Sequence, residues 1–381
     1  MRVFKLTLTA MFVILCIAAA ETPRFAPSGE PNTNARDANA ADDVHWSVQT
    51  SAIDTNLRGV SAAYFGKSMA GQPGDVLQER HIAVWACGSN GVILTSTDLG
   101  KTWKRLHVAG GDSLDFRGIV ALDARTALVM SSGEGEKSRI YKTTDGGATW
   151  KLEFAGKRPT FFLDAMVCKS ECYALSDPVD GKFVLVATHH HKKWKELPSD
   201  GMPAALPGEG AFAASGTALA MDNEGDLYFG TGGGKAARVF HSSDFGKTWT
   251  ATDTSIASGN ASSGIFSVFA LKDAVVAVGG DYKNPSQADR VAAYSLDQGN
   301  TWRLSEQQPK GYRSAVVSID GGMYATVGPT GEDISLDRGV HWSRTDSLDL
   351  NAAFVLDYYH VWAVGAKGMI ARFNNPRRYM E

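Results

Sequence analysis

This 381-residue chain lacks most of what would announce an enzyme or a membrane protein. It has four cysteines, too few for a disulfide-dense miniature scaffold. Its formal net charge of −3 supplies no basic excess for nucleic acid or for an anionic membrane surface. Beyond residues 6–20 no apolar run approaches the roughly 20 residues of a membrane-spanning helix. Almost no segment repeats apolar residues with a helical period, so the chain reads as all-β. No cofactor motif stands up. Gly230-Thr231-Gly232-Gly233-Gly234-Lys235 lacks the Ser or Thr that follows the lysine of a phosphate loop, and it leads into a strand rather than a helix. The run His189-His190-His191 is a poor metal cage, because successive strand side chains point in alternate directions. No metal site is expected.

What is present is a repeat. The pattern Ser/Thr-x-Asp-x-Gly-x-x-Trp occurs at 96–103, 143–150, 242–249, 295–302 and 335–342. Its aspartates are Asp98, Asp145, Asp244, Asp297 and Asp337, and its tryptophans Trp103, Trp150, Trp249, Trp302 and Trp342. A period of tens of residues indicates a solenoid, a propeller or an array. Each copy lies between short apolar runs, as Gly91-Val92-Ile93-Leu94 before and Thr102-Trp103-Lys104-Arg105-Leu106 after, which is a hairpin signal. The Asp carboxylate can accept N–H groups of its own turn, Gly supplies a positive φ, and Trp packs over the hairpin. The repeat is therefore a folding staple rather than a site.

Spacing gives the blade count. Consecutive box tryptophans lie 47 residues apart (Trp103 to Trp150), 53 (Trp249 to Trp302) and 40 (Trp302 to Trp342), with a double gap from Trp150 to Trp249. Trp194, after Phe183-Val184-Leu185-Val186, fills that gap as a decayed copy with His189 and His191 replacing Asp and Gly. Trp46 has no strands before it, and the C-terminus offers three strands without a fourth. One ring satisfies both shortages if residues 45–51 complete the last blade and leave no open sheet edge. The expectation is a single seven-bladed β-propeller over 45–374, six or eight blades being the alternatives. Its blades are 57–107, 115–154, 160–197, 210–251, 262–304, 311–346 and 350–374 with 45–51.

The ends fit export. A basic start, an apolar stretch from Leu6 to Ala20 and Ala18-Ala19-Ala20 describe a signal peptide over 1–20. A polar leader over 21–44 and a tail over 375–381 flank the ring. Cys16 raises lipidation, but Leu15 stands where a small residue is required. A periplasmic or secreted chain that does not span the membrane, acting as a monomer, is the expectation. In such a compartment Cys168 and Cys172, across a tight turn, suit a disulfide; zinc would need more ligands than the pair offers. Cys87 reads as a buried strand residue.

Propellers bind ligands around the central channel, at the starts of the innermost strands. Aligning Leu57-Arg58-Gly59-Val60, Phe116-Arg117-Gly118-Ile119 and Tyr312-Arg313-Ser314-Ala315 puts Arg58, Arg117 and Arg313 at one rim position. The same position in blade four is read from Ala214-Ser215-Gly216. Guanidinium groups suit bidentate capture of carboxylate or phosphate. The competing reading is that each pairs with a nearby Asp such as Asp115 or Asp164. The loop Gly279-Gly280-Asp281-Tyr282-Lys283-Asn284-Pro285 has no diagnostic chemistry.

The box resembles the Asp box of sialidases, sortilin-type receptors and some glucanases. Over 45–374 the chain is similar to the exported photosystem II stability/assembly-factor-like propellers, on its size, its blade count, the five boxes, Arg58-Gly59 and Arg117-Gly118. That resemblance implies a protein-binding scaffold without catalysis or cofactor, whose partner is an exported or membrane protein with an acidic segment. The alternative is a sialidase-like or other glycoside hydrolase. Against it, Arg58 and Arg117 are followed by Gly where sialidases have Arg-Ile-Pro, and no pattern pairs Asp164, Asp177 or Asp281 as the two carboxylates such enzymes need.

Overall fold

A computed structural model describes residues 45–65, 82–189 and 192–374. They form seven four-stranded antiparallel sheets arranged as blades. Blade one runs Leu57–Tyr64, Ile82–Gly88, Ile93–Ser96 and Lys104–Leu106 from the channel outward, and the next five follow in chain order. Blade seven takes Leu350–Asp357, His360–Gly365 and Met369–Asn374, and its outer strand is His45–Thr50. The register sets Trp46 opposite Phe373 and Val48 opposite Ala371. Trp46 and Phe373 meet edge to face with ring centroids 5.1 Å apart. The segments 1–20, 21–44 and 375–381 lie outside the described residues.

The core sits between blades rather than within them. A blade has two apolar faces, and each packs on a neighbour. Trp85 and Cys87 of blade one pack with Phe116 and Val129 of blade two. Phe183 and Leu185 of blade three meet Phe229 and Phe240 of blade four, and Trp362 of blade seven meets Val84 of blade one. Burial of large apolar side chains at about 1.5–3 kcal/mol each, repeated around the ring, makes closure the main source of cohesion.

Each intact box is a hydrogen-bond knot. In blade four Asp244 Oδ1 accepts the amide of Thr248 at 2.9 Å and Oδ2 its hydroxyl at 2.6 Å. Ser242 Oγ donates to Asp244 and accepts the Gly246 amide at 2.9 Å. Gly246 has φ +81°, where a side chain would be strained. Trp249 Nε1 donates back to Gly246 O at 3.1 Å. The other boxes repeat the motif around Asp98, Asp145, Asp297 and Asp337, with His341 taking the threonine's place beside Asp337. The indoles of Trp103, Trp302 and Trp342 donate to their box glycines, whereas that of Trp150 has no partner among the described residues. In blade three Trp194 stays buried, and the turn is closed by Thr188 Oγ1 donating to Lys192 O at 2.5 Å instead. His189 faces Glu171 at 2.9 Å; His190 and His191 lie outside the described residues.

Because the innermost strand runs away from its blade entrance and the box joins the third strand to the fourth, the boxes lie on the face opposite the innermost-strand starts. The second face also carries the turns joining first to second strands. There Cys168 and Cys172, register partners across the blade-three hairpin, form a disulfide. Cys87 is buried and forms no disulfide among the described residues.

Candidate functional site

One irregularity recurs at the channel mouth. The innermost strands of blades one, two, three, five and seven each carry a one-residue bulge near their start. The bulged residues are Arg58, Arg117, Asp164, Phe266 and Asn351. A bulge re-aims the side chain it displaces; Arg58, Arg117 and Asn351 remain partly exposed, while Asp164 and Phe266 are buried.

Arg313 is not among them, which corrects its placement as a third rim arginine. A methyl group on Gly328 would lie 3.2 Å from Arg313 Cα, as one on Gly88 would lie 2.9 Å from Leu57 Cα and one on Gly365 3.1 Å from Leu350 Cα. Arg313 therefore occupies the position of core leucines, and Ser314 that of Arg58. It is 0% exposed. Its Nε donates to Asp333 Oδ2 at 2.8 Å, its Nη2 reaches the same oxygen, and its Nη1 donates to Tyr312 O and Thr330 Oγ1 at 2.9 Å. A buried guanidinium with a full set of acceptors is structural.

Arg58 and Arg117 do come together. Arg117 donates to Asp115 Oδ2 at 2.7 Å and, across the mouth, to Ala213 O at 2.7 Å. Arg58 faces Asn56, whose side-chain oxygen accepts at 2.8 and 3.2 Å once its amide is turned toward the guanidinium. Burial, and after it the Arg117 charge alongside, lower the pKa of Arg58. The pairing with Asp115 is thus realised at Arg117, while Arg58 has a neutral amide as its close partner. A like charge beside an incompletely neutralised guanidinium is an arrangement that an incoming carboxylate relieves.

Asp164, in blade three, is 1% exposed, and neither carboxylate oxygen has a hydrogen-bond partner among the described residues. The nearby Asp177 amide is committed to Phe162 O at 3.0 Å. Burial, then the charge of Asp177, push the Asp164 pKa well above the usual range. Burial pushes Asp177 up to about 6 against the hydrogen bond it accepts from Ala211 N at 2.8 Å. The ladder, which pairs Leu163 with Ser176, brings these carboxyls together across chain positions that show no motif. Asp281 closes its own turn by accepting Lys283 N and Asn284 Nδ2.

The element that sequence missed is a plug. The innermost strand of blade four is only Leu219–Met221, so Ala214-Ser215-Gly216 is not its start. Residues 211–217 instead cross the mouth. Ala211 binds Asp177 of blade three, Ala213 accepts from Arg117 of blade two, and Ser215 Oγ donates to Ser314 O of blade six at 2.8 Å. Phe212 stacks on Phe266 of blade five at 3.8 Å, and Thr217 Oγ1 meets Ser267 Oγ at 2.7 Å. Small residues flanked by Gly210 and Gly216 allow the close approach: a methyl on Gly216 would sit 2.9 Å from Arg117 O. That run of small residues was the only available signal.

The chain matches no protein family, and no curated protein matches it. Its fold has relatives. It is similar to "YCF48 bound to D1 peptide", with TM-score 0.58, 13% identity, and coverage of 86% of this chain and 96% of that one. YCF48 from Cyanidioschyzon merolae follows at 0.56 and 14%, covering 86% and 98%. The WD40 propeller domain of Doa1 is as near, at 0.57 and 8%, covering 88% and 98%. The fold is the seven-bladed propeller. YCF48 and the Doa1 domain share that fold with this chain.

Proposed function

We propose that this chain is an exported, non-catalytic propeller scaffold that binds an acidic segment of another exported or membrane protein, as a monomer, at the mouth bearing Arg58 and Arg117. The observation that carries the reading is the pair of adjacent guanidiniums presented by equivalent bulges, one of them with a neutral amide as its close partner. The D1 peptide on the similar YCF48 propeller supports a protein ligand. The leader-like residues 1–20 support export.

The glycoside hydrolase reading gains one observation, the meeting of Asp164 and Asp177. Its geometry weighs against that use, since Asp164 is only 1% exposed. The test is a comparative pull-down from the exported fraction with the native chain and the Arg58→Ala/Arg117→Ala variant. Partners lost with the variant, while its thermal unfolding is unchanged, support the reading. Identical partners with both would reduce the arginine pair to solvated surface.

A further inference from the structure

Beneath the plug the described residues enclose a cavity of about 320 Å³ in the central channel, on the side of the box face. All seven innermost strands line it, and Ser215, Gly216 and Thr217 form its floor. Its walls are apolar, with Val120, Met166, Met221, Phe269, Leu271 and Phe354 among them. The arginine pair is absent from the lining, so this cavity and the proposed partner face are separate.

A single cation stands among the lining residues, Lys169, in the turn that the Cys168–Cys172 disulfide tethers. Its ammonium donates to Asp222 O at 2.7 Å and Asn223 Oδ1 at 2.8 Å, both neutral acceptors on the neighbouring blade. Asp222 Oδ1 is taken up by its own turn, accepting the amides of Glu224, Gly225 and Asp226 at 2.9 Å, so its charge acts on Lys169 through space without a direct ion pair. An ammonium carries three donors, and the described residues take up two of them, which leaves one for a ligand. A cavity of this size with apolar walls and one polar anchor is the ordinary form of a small-molecule site.

We infer that the channel binds a single-chain anionic amphiphile, its hydrocarbon tail against the innermost strands and its carboxylate on Lys169. The inference stands apart from the partner-binding proposal, because it uses the other face and different residues.

Alkanoates test it on the full chain by calorimetry. Octanoate, nonanoate and decanoate should bind with affinity rising about fourfold per methylene. Decanol and decyltrimethylammonium should bind more weakly than decanoate. Lys169→Met should cost decanoate about tenfold while leaving decanol unchanged. Ala353→Trp, which fills the channel, should abolish binding of all three. Should that variant fail to fold, the methyl resonances of Met166 and Met221 in the native chain give the same answer, shifting as decanoate is added. Unmoved methyl signals at saturating decanoate would overturn the inference, as would equal binding of the cationic amphiphile.

Discussion

At the residue scale, the staples and the buried acids pull stability in opposite directions with pH. Hydrogen bonds from its own turn, Thr149 foremost, pull the Asp145 carboxyl down to about 2. Asp244 also lies at about 2: burial opposes ionisation there, but the bonds from Thr248 and Ser242 outweigh it. A depressed pKa contributes stability above the unfolded value, near 3.9, that is lost as pH falls toward 2. Asp244→Ala should therefore lower stability by about 1–2 kcal/mol at pH 7, limited by solvent access to the vacated amides, and by progressively less under acid. Thermal unfolding across that range checks it. Glu332 behaves oppositely. Burial, opposed by the hydrogen bond from the Thr345 hydroxyl at 2.6 Å, raises its carboxyl to about 8. The folded state then holds a proton that the unfolded chain releases near 4.3, so stability falls as pH rises from about 4 through 8. Glu332→Gln should flatten that slope and raise the melting temperature at pH 8; an unchanged slope would place the titration elsewhere. The boxes were legible in sequence because every bond in them is local, closing within an eight-residue pattern. Glu332 was not, because its burial comes from the strand around Trp46, nearly 300 residues away in the chain.

At the scale of elements, a one-residue bulge decides what an arginine does. Arg58 and Arg117 sit on bulges and face the mouth; Arg313 sits one position earlier and faces the interior. Local sequence shows three arginines before small residues and cannot show the bulge, which depends on how the second strand pairs. The two placements predict different losses. Arg313→Ala leaves the fully buried Asp333 without its counter-charge and should cost about 3–5 kcal/mol. Arg58→Ala should change stability by less than about 1 kcal/mol, because it also relieves repulsion with Arg117. Denaturant unfolding of both variants separates them, and equal losses would contradict the assignment. The plug escaped sequence reading for a related reason. Its Ala, Ser and Gly residues resemble a strand start, and only contacts with blades two, three, five and six reveal a crossing.

At the scale of the molecule, closure by the strand His45–Thr50 makes the ring one cooperative unit. This was legible because both ends of the chain were short by complementary amounts. Deleting residues 45–50 should expose the edge of Met369–Asn374, remove Trp46 from its contact with Phe373, and lower the melting temperature while promoting aggregation. Retained stability would mean that blade seven stands on three strands. The closed ring separates two faces, an arginine mouth over the plug and a box face with the channel opening. The first is the proposed electrostatic site for an acidic partner. The most direct test titrates an acidic peptide into the native chain and the Arg58→Ala/Arg117→Ala variant over a range of salt concentration. Native affinity should fall steeply between low and physiological ionic strength, and the variant should bind weakly with a flatter dependence. Equal affinity and equal salt dependence in the two proteins would contradict it.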